Sequence, residues 1–400
     1  MSSACVALPA AAARRITLYG FICAALFSAT SSAPTPLYPL YRSLYHLSPV
    51  DITVIFASYA FALLIALLTL GRLSDFTGRR AMMLTALLIN SVALAVFMLA
   101  DSAGMLIAAR VIQGLATGIA LPTFGAAILD GDKNRGPLLN SVTAFLGLLA
   151  GSLASTVLVT FAPLPTVLVY ALLLALMLIA FALLPLMPET VTPVAGALGA
   201  LRPRIAIPPR ALGPLLRMAP VNVATWSLGG FYLSLMPSLM MVATGVHSPF
   251  IGGSVVATLM LSATASVLIF RRWSPPRALF IGTIALMAGT GLTLMGINHH
   301  HALLLFIGTA IAGQGFGSLF ATMMKIILPL AESHERAGLF SAFLVKSYLT
   351  FALPAMLAGF AVPRLGLAET ANDYCLGILL MAALSLIAGR MPERLSAERR

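Results

Sequence analysis

Apolar runs long enough to cross a bilayer recur from Ile16 to Gly389, and no other feature limits the fold so sharply. A helical run of about 18 residues or more spans a hydrocarbon core of about 30 Å. The runs are continuous rather than alternating, whereas a barrel strand needs only about 9 to 11 alternating residues, so helices are expected. Composition agrees: the chain is 60% hydrophobic and 9% charged, against about 25% charged in ordinary soluble domains. Spans are expected at about 16–37, 51–70, 80–99, 103–129, 136–160, 165–187, 214–240, 250–270, 278–297, 302–328, 338–362 and 373–390. Pro34, Pro36 and Pro39 should end regular helix near the outer end of the first span, because proline removes donors and restricts its predecessor.

The formal net charge of +12 could point to nucleic acid, but its distribution excludes that reading. Lys and Arg fall at both ends and in every second connection, with only Arg42 and Arg364 near the other face and Arg110, Lys325 and Lys346 inside spans. By the positive-inside rule both termini are cytoplasmic, which requires an even number of crossings. Cys5, Cys23 and Cys375 are too scattered for a disulfide framework and read as free thiols. Arg14 and Arg15 directly precede a full-length span, so the first helix reads as retained rather than as a cleaved signal.

Between two blocks of six spans lies a segment, 188–213, with Pro188, Pro193, Pro203, Pro208 and Pro209 and with Arg202, Arg204 and Arg210. It reads as a hinge-like linker that need not pack, joining an N-terminal bundle (1–187) to a C-terminal one (214–400). A sparse internal repeat supports two related halves. At an offset of 201 residues Gln113-Gly114 matches Gln314-Gly315 and Arg135 matches Arg336. Gly114 and Gly118, and Gly313 and Gly317, stand four apart on the fourth and tenth spans, a spacing that lets another helix approach closely.

The segment Gly71-Arg-Leu-Ser-Asp75-Phe-Thr-Gly78-Arg79-Arg80, together with Arg110-Val-Ile-Gln113-Gly114, resembles the signature motifs of the major facilitator superfamily. The resemblance implies an all-α membrane protein with twelve helices in two six-helix bundles, a monomer that carries a small organic solute. It implies that Asp75 faces the start of the eleventh helix while Arg79 pairs with Asp130 at the end of the fourth. Gly71 and Gly78 would permit a tight chain reversal, and Arg80 would join the mobile interface. The equivalent loop of the second half, Arg271-Arg272-Trp273-Ser274-Pro275-Pro276-Arg277, has no acid, so the halves should latch unequally. Gly147, Gly151, Ser152 and Ser155 on the fifth span resemble the small-residue motif of drug–proton antiporters, with serine where that motif has proline.

No Asp or Glu falls in the middle of a span, so the candidate proton acceptors are Asp51 and Asp373 at the outer starts of spans two and twelve. Arg110 should lie about 10 to 12 Å below the outer end of its helix and Lys346 about 12 Å from the inner end of its own. Lys325 is close enough to the inner end to snorkel. Charge in lipid is costly, so Arg110 and Lys346 are expected to point into the bundle, a wet cavity or an interface, Arg110 in architecture and coupling as the resemblance implies and Lys346 toward a solute or a cycling proton. A positive, acid-free cavity favours an anionic or zwitterionic solute. Gln113, Asn222, Trp226 and Gln314 on spans four, seven and ten are the remaining expected solute contacts, with Tyr59, Asn140 and Tyr348 behind them. His299, His300 and His301 are consecutive, so they cannot converge on one metal without special backbone geometry, and no metal or cofactor is expected.

The reading is therefore a proton-coupled exporter of a small amphipathic or anionic compound, embedded with its lipids in a plasma membrane, by resemblance a bacterial inner membrane. An uptake symporter or facilitator, and a non-transporting receptor or scaffold, are the alternatives. Phosphate-binding glycine loops and hydrolase or zincin motifs are not found, so enzymatic chemistry is not expected.

Overall fold

The computed structural model describes residues 8–203, 205–246, 248–332 and 335–389. Cys5, Arg204 and the side chain of Arg336 lie outside what is described. Eleven of the described helices are long and apolar enough to cross a membrane, and a bent pair supplies a twelfth span. The helices are α1 (Ala10–Ser32), α2 (Pro49–Leu70), α3 (Arg79–Leu99), α4 (Ala103–Gly131), α5 (Gly136–Phe161) and α6 (Pro165–Leu183) in the first half. The second half holds α7 (Ala219–Ser234, continued by Met236–Thr244), α8 (Pro249–Ile269), α9 (Pro275–Asn298), α10 (Ala302–Ile327), α11 (Arg336–Leu365) and α12 (Leu367–Gly389). No β-strand occurs among the described residues. This is what hydrocarbon demands, since backbone donors and acceptors there find no water and must pair within the helix.

Two spans differ from expectation. In the first, regular helix stops at Ser32 as its prolines imply, but the chain does not leave the bundle: a short 3-10 turn, Thr35–Leu37, leads into a further helix, Tyr38–Leu44. Pro36 and Pro39 each fall in the first turn of a new segment, where a missing N–H costs nothing. Tyr38 and Tyr41 are thereby folded into the bundle core. The seventh span bends by 65° at Leu235, because Pro237 cannot donate to the turn before it.

Packing repeats between the halves. The pairs α1–α5, α2–α4, α3–α4 and α3–α6 recur as α7–α11, α8–α10, α9–α10 and α9–α12, and the halves meet through α2 against α11 and α5 against α8. Glycines set the closest approaches. A Cβ on Gly114 would stand 2.8 Å from Ala62 Cβ and 3.0 Å from Leu63 N, and one on Gly313 would stand 2.6 Å from Leu259 O and 2.8 Å from Ser262 Cβ. The two glycine pairs thus occupy equivalent contacts, α4 on α2 and α10 on α8. Their offset is two residues shorter than that of the glutamines, so Gln113 and Gln314 are not counterparts. Two residues turn a helix by about 200°.

At the face opposite the basic connections, a threonine of one half fits a glycine of the other at both seams. Thr53 of α2 sits on Gly359 of α11, and Thr156 of α5 sits on Gly253 of α8. Either glycine, given a Cβ, would collide with its threonine.

Gly114→Ala should lower the melting temperature of the purified protein, by about 1 to 3 kcal/mol of overpacking. Gly291→Ala on α9, where a Cβ meets nothing within 4 Å, should leave it unchanged or raise stability by up to about 1 kcal/mol. Equal melting shifts for the two variants would contradict the close approach of α2 and α4.

Candidate functional site

The connection between α2 and α3 carries a short helix, Ser74–Thr77, and Gly78 follows it with φ of +93°, a conformation that suits glycine. Gly71 differs from the expected reversal, since its φ of −60° is ordinary helix. Arg79 is buried and gathers the loop: it donates to Ser74 Oγ at 2.7 Å, pairs with Asp75, and reaches Asp130 at the end of α4, 3.3 Å away. The side chain of Asp75 is 43% exposed, and its ion-pair partner among the described residues is Arg79 rather than a group on α11. Arg80 is held chiefly through its backbone, its guanidinium reaching only Pro185 O at 3.4 Å.

That backbone contact comes from a residue the sequence reading missed. Glu189 accepts from the N–H groups of Arg79 and Arg80 at 2.8 and 3.0 Å, so a carboxylate from the linker caps the start of α3. Thr190, fully buried, donates to Asp130 Oδ2 at 2.7 Å, and Val194 N–H donates to Phe76 O at 2.9 Å. The start of the linker is therefore packed onto the loop before α3, contrary to the expectation of a segment that need not pack. One signal was available: Glu189 is the sole acid in a basic, proline-rich stretch. The far end of the linker holds the other half. Arg210 donates to Leu330 O at 2.9 Å and pairs with Glu332 and Glu335, while Ala206 N–H donates to Gly338 O.

The loop before α9 lacks this arrangement for a visible reason. Its first two helical residues are Pro275 and Pro276, which have no N–H to cap. Arg277 lies over the Trp273 ring at 4.6 Å, Lys325 donates to Arg271 O at 2.7 Å, and no ion pair involves Arg271, Arg272 or Arg277 among the described residues.

In the first bundle Arg110 is 1% exposed and has no carboxylate beside it. Its guanidinium donates to Ser31 O and Gln113 Oε1, each at 2.8 Å, and to Tyr38 Oη, with the Tyr59 ring 5.3 Å away. Gln113 in turn donates to Thr30 O at 2.9 Å. The pair ties α4 to α1, and the side chain of Gln113 is already engaged at both ends. Asn140 likewise donates to Gly125 O and joins α5 to α4.

Between the halves runs an aromatic seam. Phe145 of α5 lies 5.5 Å from both Phe316 and Phe320 of α10, and Phe56 of α2 lies 4.9 Å from Phe351 of α11. Trp226 of α7 sits among Tyr348, Phe320 and Phe351 at 5.1 to 6.1 Å. One turn earlier Asn222 is buried and donates to Ser347 Oγ at 3.0 Å. Asn222 Oδ1 and Trp226 Nε1 are both shielded and have no hydrogen-bond partner among the described residues. An unpaired donor and an unpaired acceptor thus stand one turn apart against aromatic walls, a costly arrangement unless something else completes it.

Other expected contacts are not brought to this seam. Gln314 is roughly opposite Phe316 around α10 and shares its stripe with the exposed Leu303 and Ile307. Lys346 is roughly opposite Tyr348 around α11, on the stripe of Thr350 and of Leu357, which is 69% exposed. Lys346 is half-buried on that stripe, so the rotation set by the aromatic and small residues of α11 turns it away from the aromatic seam without fully exposing it. Asp51 is tied into the cap of α2, accepting from Ser48 N–H and Oγ at 2.8 and 2.7 Å. Asp373 is exposed, beside a groove formed by α7, α11 and α12. The histidines do not converge: His300 contacts Ala243 O at 3.0 Å and His301 accepts from Leu304 N–H at 3.3 Å.

Glu189→Ala should free the first turn of α3 and loosen the gate by about 1 to 3 kcal/mol. Hydrogen–deuterium exchange should then quicken at Arg79, Arg80 and across 189–194, with a smaller effect from Thr190→Val. Unchanged exchange in both variants would rule out the linker clamp.

The Major Facilitator Superfamily model matches residues 20–345. No curated protein sequence matches the chain. Among solved structures the chain is similar to the crystal structure of a mutant of the nucleoside transporter NupG, with a TM-score of 0.67 and 15% identity, covering 96% of this chain and 100% of that one. At that identity the likeness concerns the fold, and the family match, with the twelve-span arrangement and the Arg79–Asp130 ion pair, leads to one conclusion: the chain belongs to the major facilitator superfamily of membrane transporters.

Proposed function

We propose that this transporter exports a small, amphipathic organic solute by alternating access, binding it at the aromatic seam between its two bundles. One observation carries the reading: Trp226 Nε1–H and Asn222 Oδ1, one turn apart on α7, are buried without a partner among the described residues, and the Trp226 ring is boxed by Tyr348, Phe320 and Phe351. A ligand that offers one acceptor, one donor and a flat apolar face satisfies all three features at once. An uncharged or weakly polar compound fits better than an anion, since Lys346 lies on the far side of α11 and Arg110 is already engaged. The basic face is taken as cytoplasmic, following the positive-inside rule, in a bacterial inner membrane.

Export rests on the small-residue run of α5, where Gly147 and Gly151 lie against Ala25 and Ala29 of α1 as in a tightly packed helix pair. In the arrangement described, the Thr53–Gly359 and Thr156–Gly253 contacts hold the extracytoplasmic ends together. Opening that side would separate them, while Asp75 would swing toward α11 as the cytoplasmic side closes. Proton antiport is the driving mode supplied by the family resemblance. A second reading, movement down the solute's own gradient, is favoured by the placement of Asp51 in a helix cap and Asp373 away from the seam.

Counterflow in proteoliposomes tests the solute class and imposed pH gradients test the coupling. With Trp273→Phe, Trp226 becomes the sole tryptophan and its fluorescence reports binding directly. Uncharged aromatic amphiphiles should quench it saturably, and Trp226→Phe should weaken their transport about tenfold, the worth of one buried hydrogen bond. A consistent preference for anions or permanent cations would defeat the assignment. Flux indifferent to an imposed pH gradient would leave solute-gradient movement in place of antiport.

A further inference from the structure

One hollow lies away from the seam. It is a groove of about 310 Å³ between α7, α11 and α12, lined by Val223, Leu357, Ala361, Ile378 and Met381 among others. It opens laterally, since Leu357 on its rim is strongly exposed and α12 presents Leu376 and Leu380 to the same side. Along α12 it runs from Thr370 to Met381, about 16 Å at 1.5 Å per residue. That is close to half of a hydrocarbon core of about 30 Å, the depth of one leaflet. Its floor is open at Gly377, where a Cβ would meet nothing within 4 Å.

The polar groups of the groove are satisfied, with one exception. Tyr374 Oη donates to Ser227 O at 3.0 Å, Thr370 Oγ1 to Gly366 O at 2.7 Å, and Ser227 Oγ to Thr350 O at 3.1 Å. Asp373, near the end closer to the start of α12, is exposed and has no ion pair among the described residues. Glu369 stands one turn beyond it toward the membrane surface and adds a second negative charge. Arg364, at the end of α11, pairs with neither.

We propose that the groove is a lipid site for a phospholipid with a primary ammonium headgroup, one acyl chain lying from Thr370 to Met381 and the ammonium paired with Asp373. Charge selects the occupant: an anionic headgroup would be repelled by Asp373 and Glu369, and a bare alkyl chain would leave the aspartate unpaired in a layer where ionised groups need a partner. Solute binding at the seam is not required for it.

The test is native mass spectrometry of the full-length protein, delipidated in detergent and offered phosphatidylethanolamine and phosphatidylglycerol with identical chains. The wild type should retain the ethanolamine lipid about fivefold more than the glycerol lipid, the upper end of what an exposed ion pair contributes. Asp373→Asn should bring the two to parity. Gly377→Leu should abolish the retained adduct of both while leaving the melting temperature unchanged, because the new side chain occupies open space. Equal retention by the wild type, a preference that survives Asp373→Asn, or an adduct that persists in Gly377→Leu would each overturn the site.

Discussion

Helices in hydrocarbon gain nothing from expelling water, so the bundle depends on backbones that come close enough for dispersion to accumulate. Gly114 and Gly118 bring α4 onto α2, and Gly313 and Gly317 bring α10 onto α8. With α2 and α8 placed in this way, the same two helices form the seam with α11 and α5. The contact that builds each half therefore also positions the surface on which the halves move.

The two halves use this common frame differently at the basic face. In the first, a buried arginine gathers Ser74, Asp75 and Asp130 while a linker glutamate caps the start of α3. In the second, proline at the corresponding helix start removes the donors that such a glutamate would serve. The linker joins these unequal ends, with Glu189 and Thr190 on the loop before α3 and Arg210 on the acids before α11, so it is anchored to both halves rather than lying as loose coil.

Buried polar groups are partnered to different degrees in this chain. Arg110 is compensated by a backbone carbonyl, an amide oxygen, a tyrosine hydroxyl and aromatic faces, which together hold α1 to α4. Trp226 and Asn222 are compensated only in part. Arg110 Nε is likewise left without a partner among the described residues, so what sets Trp226 and Asn222 apart is the aromatic seam beside them.

Much of the architecture was legible in residue order. Continuous apolar length specified helices, and glycines four apart specified close helix pairs. The pairing of Arg79 with Asp130 was readable through the family resemblance. Rotation about each helix axis was not. A span that is apolar on every side has no polar face to orient it, so residue order left open whether Lys346 and Gln314 faced the seam or the lipid. Only tertiary packing decided that, because one residue turns the helix by about 100° and the aromatic contacts of Phe316, Phe320, Tyr348 and Phe351 fix which side turns inward. The docking of Glu189 was hidden for a related reason: a linker's partners lie far away in sequence, and the cap on α3 exists only once the bundle has brought them together.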